Sequence, residues 1–410
     1  MSRLILRGGV RADGSRADVA IDTTSGLITE VGTVSDAAPG ALPDIVEDCT
    51  GKVILPAGVE THAHLDKAFL SAGVPVPADL DAGVAEWFAR VGDLTHESFV
   101  ERATAAIEAL VARGTTTIRT HVDIATHHEL RGVHALIEVR ESMHERGLAD
   151  IELIGLAGPL GGVVGAPVRR LLDEAIEAGI DIVGASPDIS HDPMGATTDV
   201  VDAARRSGLR MDVHTDQTID PNLFFLPELI RQVTAYGLTG AVASHCVSLA
   251  SQDIDTQKRV ADQLAAAGIA VFTMPLTSLF LFGWEELVSP PRGVTAINTL
   301  RAAGVVVAAG SDNVQDPFFP YGRCDPFETA GVLALVAHLT ADEAWDMVSG
   351  AARQAMGRAP VAVTPGSRAD LVAVNGTNIT AALSMASEDR IVVHRGRVVA
   401  RTTTRSSLLV

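Results

Sequence analysis

Lysine is almost missing from this chain: Lys52, Lys67 and Lys258 are the only three in 410 residues, and arginine supplies the rest of its 32 basic side chains. Cysteine is as sparse. Cys49, Cys246 and Cys324 are far apart and form no Cys-x-x-Cys, which excludes a disulfide framework and a thiolate zinc site and points to a reducing compartment. With 51 acidic residues the formal charge is −19, and the few lysines do not cluster. A protein that neutralises phosphates needs a basic face, so nucleic acid is excluded as a partner. No apolar run approaches the roughly 20 residues that span a bilayer, and the opening Met1-Ser2-Arg3-Leu4-Ile5-Leu6-Arg7 carries no cleavable leader pattern. The expectation is a soluble, cytoplasmic protein with no membrane partner.

What is present is a regular alternation. Apolar, β-branched runs recur at Val53–Leu55, Thr115–His121, Ile151–Leu156, Ile180–Gly184, Met211–His214, Ala241–His245, Ala270–Met274 and Val305–Ala309. Segments with helical periodicity lie between most of them, among them His134–Glu145, Val168–Glu177, Asp199–Ser207 and Thr256–Ala267. Continuous apolar strands are buried on both faces, and strand-helix alternation makes a parallel sheet. The pattern predicts an α/β fold, a (β/α)8 TIM-type barrel, with an open doubly wound sheet as the competing architecture. Both ends differ. Leu4–Val10, Asp18–Ile21 and Leu27–Gly32, then Ala369–Val374 and Ile391–Ala400, read as short strands between turns, and are expected to pair into one small β-sandwich. The expected organisation is residues 1–55 plus 361–410 as the sandwich and 56–360 as the barrel.

Histidines mark the ends of the predicted strands. His62 and His64 follow the first, and residues two apart in extended chain point to one side. His214 ends the fifth strand, His245 ends the sixth, and Asp312 follows the eighth. In a β/α barrel these positions converge on the C-terminal rim, where active sites of the fold lie. Four imidazoles and a carboxylate there can surround one borderline metal such as zinc or ferrous iron. A lone strand-end histidine is more often a hydrogen-bonded core residue, but chance is a poor account of the joint pattern. His127, His128, His134, His144 and His338 sit in polar or helical context and are expected at the surface, while His121 suits either the pocket or a structural role.

The runs Pro56–Lys67, Arg119–Asp123, Asp212–His214, Ala243–His245 and Gly310–Pro317 resemble the cytosine deaminase branch of the amidohydrolase superfamily, to which N-isopropylammelide amidohydrolase also belongs. The resemblance covers nearly the whole chain. It implies one catalytic divalent metal, zinc or iron, held by His62, His64, His214 and Asp312, with His245 near the attacking water or the substrate. Homo-oligomerisation is compatible with it. Two-metal members of the superfamily carry a bridging carboxylated lysine at the end of the fourth strand. Here that stretch reads Val183–Asp188 and none of the three lysines lies in it, so one metal is expected. In the mechanism that the resemblance implies, such a metal would supply acidity to a bound water, Asp312 would accept the proton, and His245 would donate to the oxyanion developing on an electron-poor carbon bonded to nitrogen.

The resemblance breaks at the proton shuttle. Where these deaminases carry a Glu three residues after the fifth-strand histidine, this chain has Gln217, and a neutral amide orients by hydrogen bonds but moves no proton near pH 7. Asp216 taking over, Asp312 performing every transfer, and a catalytically inactive barrel that binds metal and ligand remain as readings. The Pro-Gln-Glu-Gly turn after the third strand is replaced by Leu156–Gly162, and Phe318 stands where the family has Trp. Gln217, Lys67, His121 and Phe318 are the substrate-binding candidates, with an ion pair as the alternative for Lys67. Phe280, Phe282 and Trp284, interleaved with leucines, suit core packing or a subunit contact better than ring stacking. The sequence predicts a hydrolase of carbon–nitrogen bonds other than peptide bonds acting on a small nitrogen heterocycle. Deamination is the leading reaction, with cyclic amide, lactam or N-substituted amine hydrolysis as the alternative.

Overall fold

The computed structural model describes residues 3–36, 43–285, 288–405 and 407–408; residues 1–2 and 37–42 of the predicted N-terminal segment, and 406 and 409–410 of the C-terminal one, lie outside it. Eight parallel strands form the central sheet, in the order of the chain: β6 (Gly58–Ala63), β7 (Thr115–Ile124), β8 (Asp150–Ala157), β9 (Ile182–Ala185), β10 (Arg210–Thr215), β11 (Val242–His245), β12 (Ala270–Thr273) and β13 (Val307–Ala309). The last strand returns to the first just past its end. The His64 amide donates to the Asp312 carbonyl at 3.0 Å, and the Asp312 amide to the His62 carbonyl at 2.8 Å, which closes the barrel where the site residues stand.

Helices on the outside cover the strands. They include α2 (His96–Ala112), α3 (Arg131–Arg146), α4 (Ala166–Ala178), α5 (Pro193–Ser207), α6 (Leu226–Tyr236) and α7 (Ile254–Ala267), while α1 (Leu80–Val91) lies in the connection between β6 and α2. Local sequence sets their limits. In α7 the Asp253 carboxylate caps the start by accepting from the amides of Asp255 and Thr256, and Gly268, at φ +66°, ends it in the left-handed region that favours glycine. Between them Val260, Ala261 and Leu264 face the strands and are buried.

The terminal segments build two four-stranded sheets. One has the order β3 (Leu27–Gly32), β2 (Asp18–Asp22), β1 (Arg3–Arg7) and β4 (Ile45–Asp48); the other runs β16 (Arg397–Thr402), β15 (Arg390–His394), β14 (Leu371–Asn375) and β5 (Lys52–Pro56). Leu4, Leu6, Val19 and Ile21 of the first share a core with Ile54, Leu371, Ile391 and Val393 of the second, so both ends of the chain make one sandwich. One expectation is corrected. Val53–Leu55 is not the first barrel strand: it pairs antiparallel with β14, and Gly58–Ala63 takes the barrel position. A short apolar run reads alike in a sandwich and in a barrel, and Gly58-Val59-Glu60-Thr61-His62-Ala63 hides its strand character because its inward side chains are polar.

Candidate metal centre and active site

Period-two alternation aims Glu60 and His62 of β6, Arg119, His121 and Asp123 of β7, and Asp212 and His214 of β10 into the barrel. The histidines meet. The Nε2 atoms of His64 and His214 are 3.3 Å apart, and Asp312 Oδ1 lies 3.3 Å from His64 Nε2 and 3.7 Å from His62 Nε2. His245 joins by a break in the alternation. Ser244 already faces inward, so its neighbour should face out, but His245 has a φ of +71° that turns the ring to 4.8 Å from that of His214. Asp312 is likewise left-handed, at +65°.

These side chains are buried with atoms left over. His62 Nε2, His214 Nδ1, Asp312 Oδ2 and both ring nitrogens of His121 and His245 are buried without a hydrogen-bond partner among the described residues. Burial is the largest cause driving each imidazole below its ordinary titration range, His214 to about 3, so the rings are neutral and carry free lone pairs. Orphaned buried polar atoms cost about 1–3 kcal/mol each unless something satisfies them. Neutral imidazoles beside a carboxylate are the donor set that a divalent cation takes, so the residues fit a metal.

A polar layer beneath orients the candidate ligands. Ser244 donates its hydroxyl to Asp212 Oδ1 at 2.6 Å and accepts from His62 Nδ1 at 3.1 Å, which leaves His62 Nε2 as the lone pair facing the cluster. Asp212 is held from below by Arg119, which also donates to Glu152 at 2.9 Å. On the seam, Glu60 accepts from the backbone amides of His62 and Ser311, and burial still pushes its carboxyl up to about 7.

Above the cluster lies a cavity of about 80 Å³ whose wall includes His64, His214, Asp312, Lys67, Gln217 and Phe318. His62, His121 and His245 stand behind that wall: of the substrate-binding candidates, His121 is fully buried, with its ring 4.1 Å from that of His62. Lys67 is at once a wall residue and an ion-pair partner. It donates to Asp123 at 2.9 Å and sits over the Trp87 ring at 4.7 Å; burial opposes its charge, but Asp123 and Asp66 outweigh this and hold it protonated.

Other residues fall outside the sequence reading. Asp216 is no loose neighbour of Gln217: its two oxygens accept from the amides of Phe225 and Leu226 at the start of α6, and it is fully buried. His128, expected at the surface, is buried against Trp87. The reading also missed α1 as part of the wall, where Leu80, Val84, Trp87 and Phe88 face the cavity. Their spacing and the capping Asp79 signal the helix, but nothing local says what it covers. Gly83 lets it approach, since a Cβ there would lie 2.7 Å from the Phe318 ring. Phe280 packs edge-on against the half-exposed Trp284 and near Tyr321, away from this wall. A larger open hollow of about 790 Å³ beside His127, Arg131 and Arg170 shares no residue with the cluster.

A model of the amidohydrolase family matches residues 88–400. The chain belongs to that family. This amidohydrolase is 29% identical over 394 residues to a pterin deaminase of Rhizobium rhizogenes, covering 94% of this chain and 88% of the relative. Its fold superimposes on a 5-methylcytosine deaminase from Klebsiella pneumoniae with a TM-score of 0.87 at 24% identity, over 99% of each chain. An N-isopropylammelide isopropylaminohydrolase from Burkholderia multivorans gives 0.81 at 27% identity, over 98% of this chain and 99% of the other. The amidohydrolase is therefore an enzyme that hydrolyses carbon–nitrogen bonds other than peptide bonds, in a metal-dependent family. Among the described residues no helix is long and apolar enough to cross a membrane.

Proposed function

We propose that this amidohydrolase deaminates a small, planar nitrogen heterocycle hydrolytically, using one divalent metal, zinc or iron, held by His62, His64, His214 and Asp312. The observation that carries the reading is the convergence of buried, neutral imidazoles with unpartnered nitrogens on one carboxylate at the floor of a ring-sized cavity. When bound, such a metal supplies Lewis acidity and makes water acidic enough to attack at neutral pH.

The protein's own residues do the rest. Asp312 Oδ2, buried without a partner, takes the proton of the attacking water and returns it to the leaving amine. The alternatives for this shuttle are weaker: Gln217 has no titratable group, and both oxygens of Asp216 are committed to the backbone of α6. His245 donates to the oxyanion that develops on the attacked carbon. Lys67 and Gln217 hold the polar edge of the ring, Phe318 and Trp87 its faces, and α1 excludes water. The neutral Gln217 also favours a second reading, opening of a cyclic amide, in which Asp312 likewise passes the water's proton to the departing nitrogen. The substrate is a small molecule, and a cytoplasmic enzyme without nucleic-acid or membrane partners fits the acidic, lysine-poor composition.

The test is metal analysis of the purified protein, followed by separate assays of ammonia release and ring opening on pyrimidines, pterins, triazines and cyclic amides. About one metal per chain is expected, with ammonia release that Asp312→Asn abolishes. Absence of stoichiometric metal, or full turnover by the variant, would overturn the mechanism.

A further inference from the structure

The cavity over the histidines shares part of its wall with another hollow. At a neck formed by Val84, Phe88, Asp123, Leu156, Ser186 and Ile189, residues that line both spaces, it adjoins a second hollow of about 170 Å³, about twice the size of the reacting cavity. This annex is walled by Ala125, Ala157, Gly158 and Pro159 at the ends of β7 and β8, with His191 as its polar contribution beyond the neck. The third-strand turn creates the space. Gly158 has no side chain, and a Cβ built there would meet no atom within 4 Å.

We propose that the annex receives the non-reacting half of the substrate, which is therefore a fused two-ring nitrogen heterocycle and not a single ring. The inference rests on the deamination reading for where the reacting edge lies. The two hollows share six residues, Phe88 of α1 and Leu156 of β8 among them, so they are adjacent, and a molecule larger than one ring would extend from the one into the other past these side chains. A single ring would fill the smaller space and leave the larger, mostly apolar one to water. Burying a second ring there removes apolar surface from water at a distance from the reacting atoms, which is how remote parts of a substrate contribute to catalysis. Asp123 at the neck, facing Lys67, provides an acceptor for ring or exocyclic N–H groups that cross between the halves.

The experiment compares an amino-pteridine with an amino-pyrimidine carrying the same reacting edge, by equilibrium binding and by ammonia release, on the metal-loaded wild-type enzyme. The pteridine is expected to bind about tenfold tighter or more. Gly158→Leu, which grows a side chain into the annex, is expected to shrink that ratio toward one. Equal wild-type affinities would overturn the inference whatever the variant does, and so would a ratio unchanged in a folded Gly158→Leu. Tight pteridine binding that depends on Gly158 but releases no ammonia would leave the annex standing and sink the deamination reading instead.

Discussion

Ser244 touches no cavity, yet its removal should be felt by the metal. In Ser244→Ala the His62 Nδ1 proton loses its acceptor at 3.1 Å and Asp212 Oδ1 loses its donor at 2.6 Å, at a site with no access to water. His62 is then free to tip or to change tautomer, and a proton on Nε2 would replace the lone pair needed by the metal. Loss of such an outer partner typically costs about 10–100-fold in metal affinity, equivalent to about 1.4–2.7 kcal/mol. Asp212 keeps Arg119 at 3.4 Å on its other oxygen, Oδ2, but its Oδ1 and His62 Nδ1 are both stranded, so the metal-free fold should lose about 2–6 kcal/mol, the cost of two buried polar groups left unsatisfied. The two effects separate experimentally. Competition against a fluorescent chelator reads metal affinity, and urea unfolding of the metal-free protein reads the fold. Metal affinity within twofold of wild type, with the apo fold destabilised, would refute the orienting role and leave Ser244 a structural residue.

Gln217→Glu restores an ionisable group at the cavity wall and is expected to raise the kcat of ammonia release at least tenfold, since a positioned proton shuttle contributes about 10²–10⁴-fold; an unchanged kcat would show that position 217 only orients substrate. Arg390→Met removes a fully buried bidentate pair, both bonds 2.8 Å, between β15 and Asp325 at the start of the helix Pro326–Ala337. Stranding that carboxylate should cost about 3–5 kcal/mol, a fall of roughly 5 °C in Tm for a chain of 410 residues, and a Tm within 1 °C would contradict it. Asp370 sets an acid limit: burial raises its carboxyl, but His394 and Arg368 outweigh this and hold it at about 2 against an ordinary 3.8. Its contribution, about 2 kcal/mol, is present above pH 3.8 and disappears as pH falls toward 2, so the stability gap between wild type and Asp370→Asn should close over that window; a gap that persists at pH 2 would be the contrary result.

Most of the barrel and the histidine set were legible because both follow from short-range rules. Strands buried on two faces read as apolar runs, and a strand end in this fold is a rim position whatever the loops do. What stayed hidden depended on long-range closure. Nothing near Val53 says that its partner is β14, more than 300 residues away, instead of β7. The turning inward of His245 depends on a single left-handed φ, and the burial of His128 on Trp87 arriving on α1. Alternation alone places Ser244 and His245 on opposite faces. The fold needs both inside.

That exception shows where precision is concentrated. Left-handed φ at a residue other than glycine costs about 1–3 kcal/mol and persists only where the surroundings over-determine it. His245 and Asp312 both carry it, and both stand at strand ends whose neighbours are clamped: Ser244 by Asp212 and His62, Ser311 by Glu60. The clamp on the seam leaves no slack. A Cβ on Gly310 would lie 2.6 Å from Glu60 Oε1 and 2.7 Å from the His62 carbonyl, so a side chain there would wedge apart β6 and β13, the two strands that deliver His62 and Asp312. The barrel therefore positions the proposed metal ligands from below, through a buried polar layer of Glu60, Arg119, Glu152 and Asp212. The loops above, with α1 and the Gly158 turn, are left to choose the substrate. In this division of labour a change at a wall residue such as Gln217 touches the substrate space and leaves the layer beneath the proposed ligands in place.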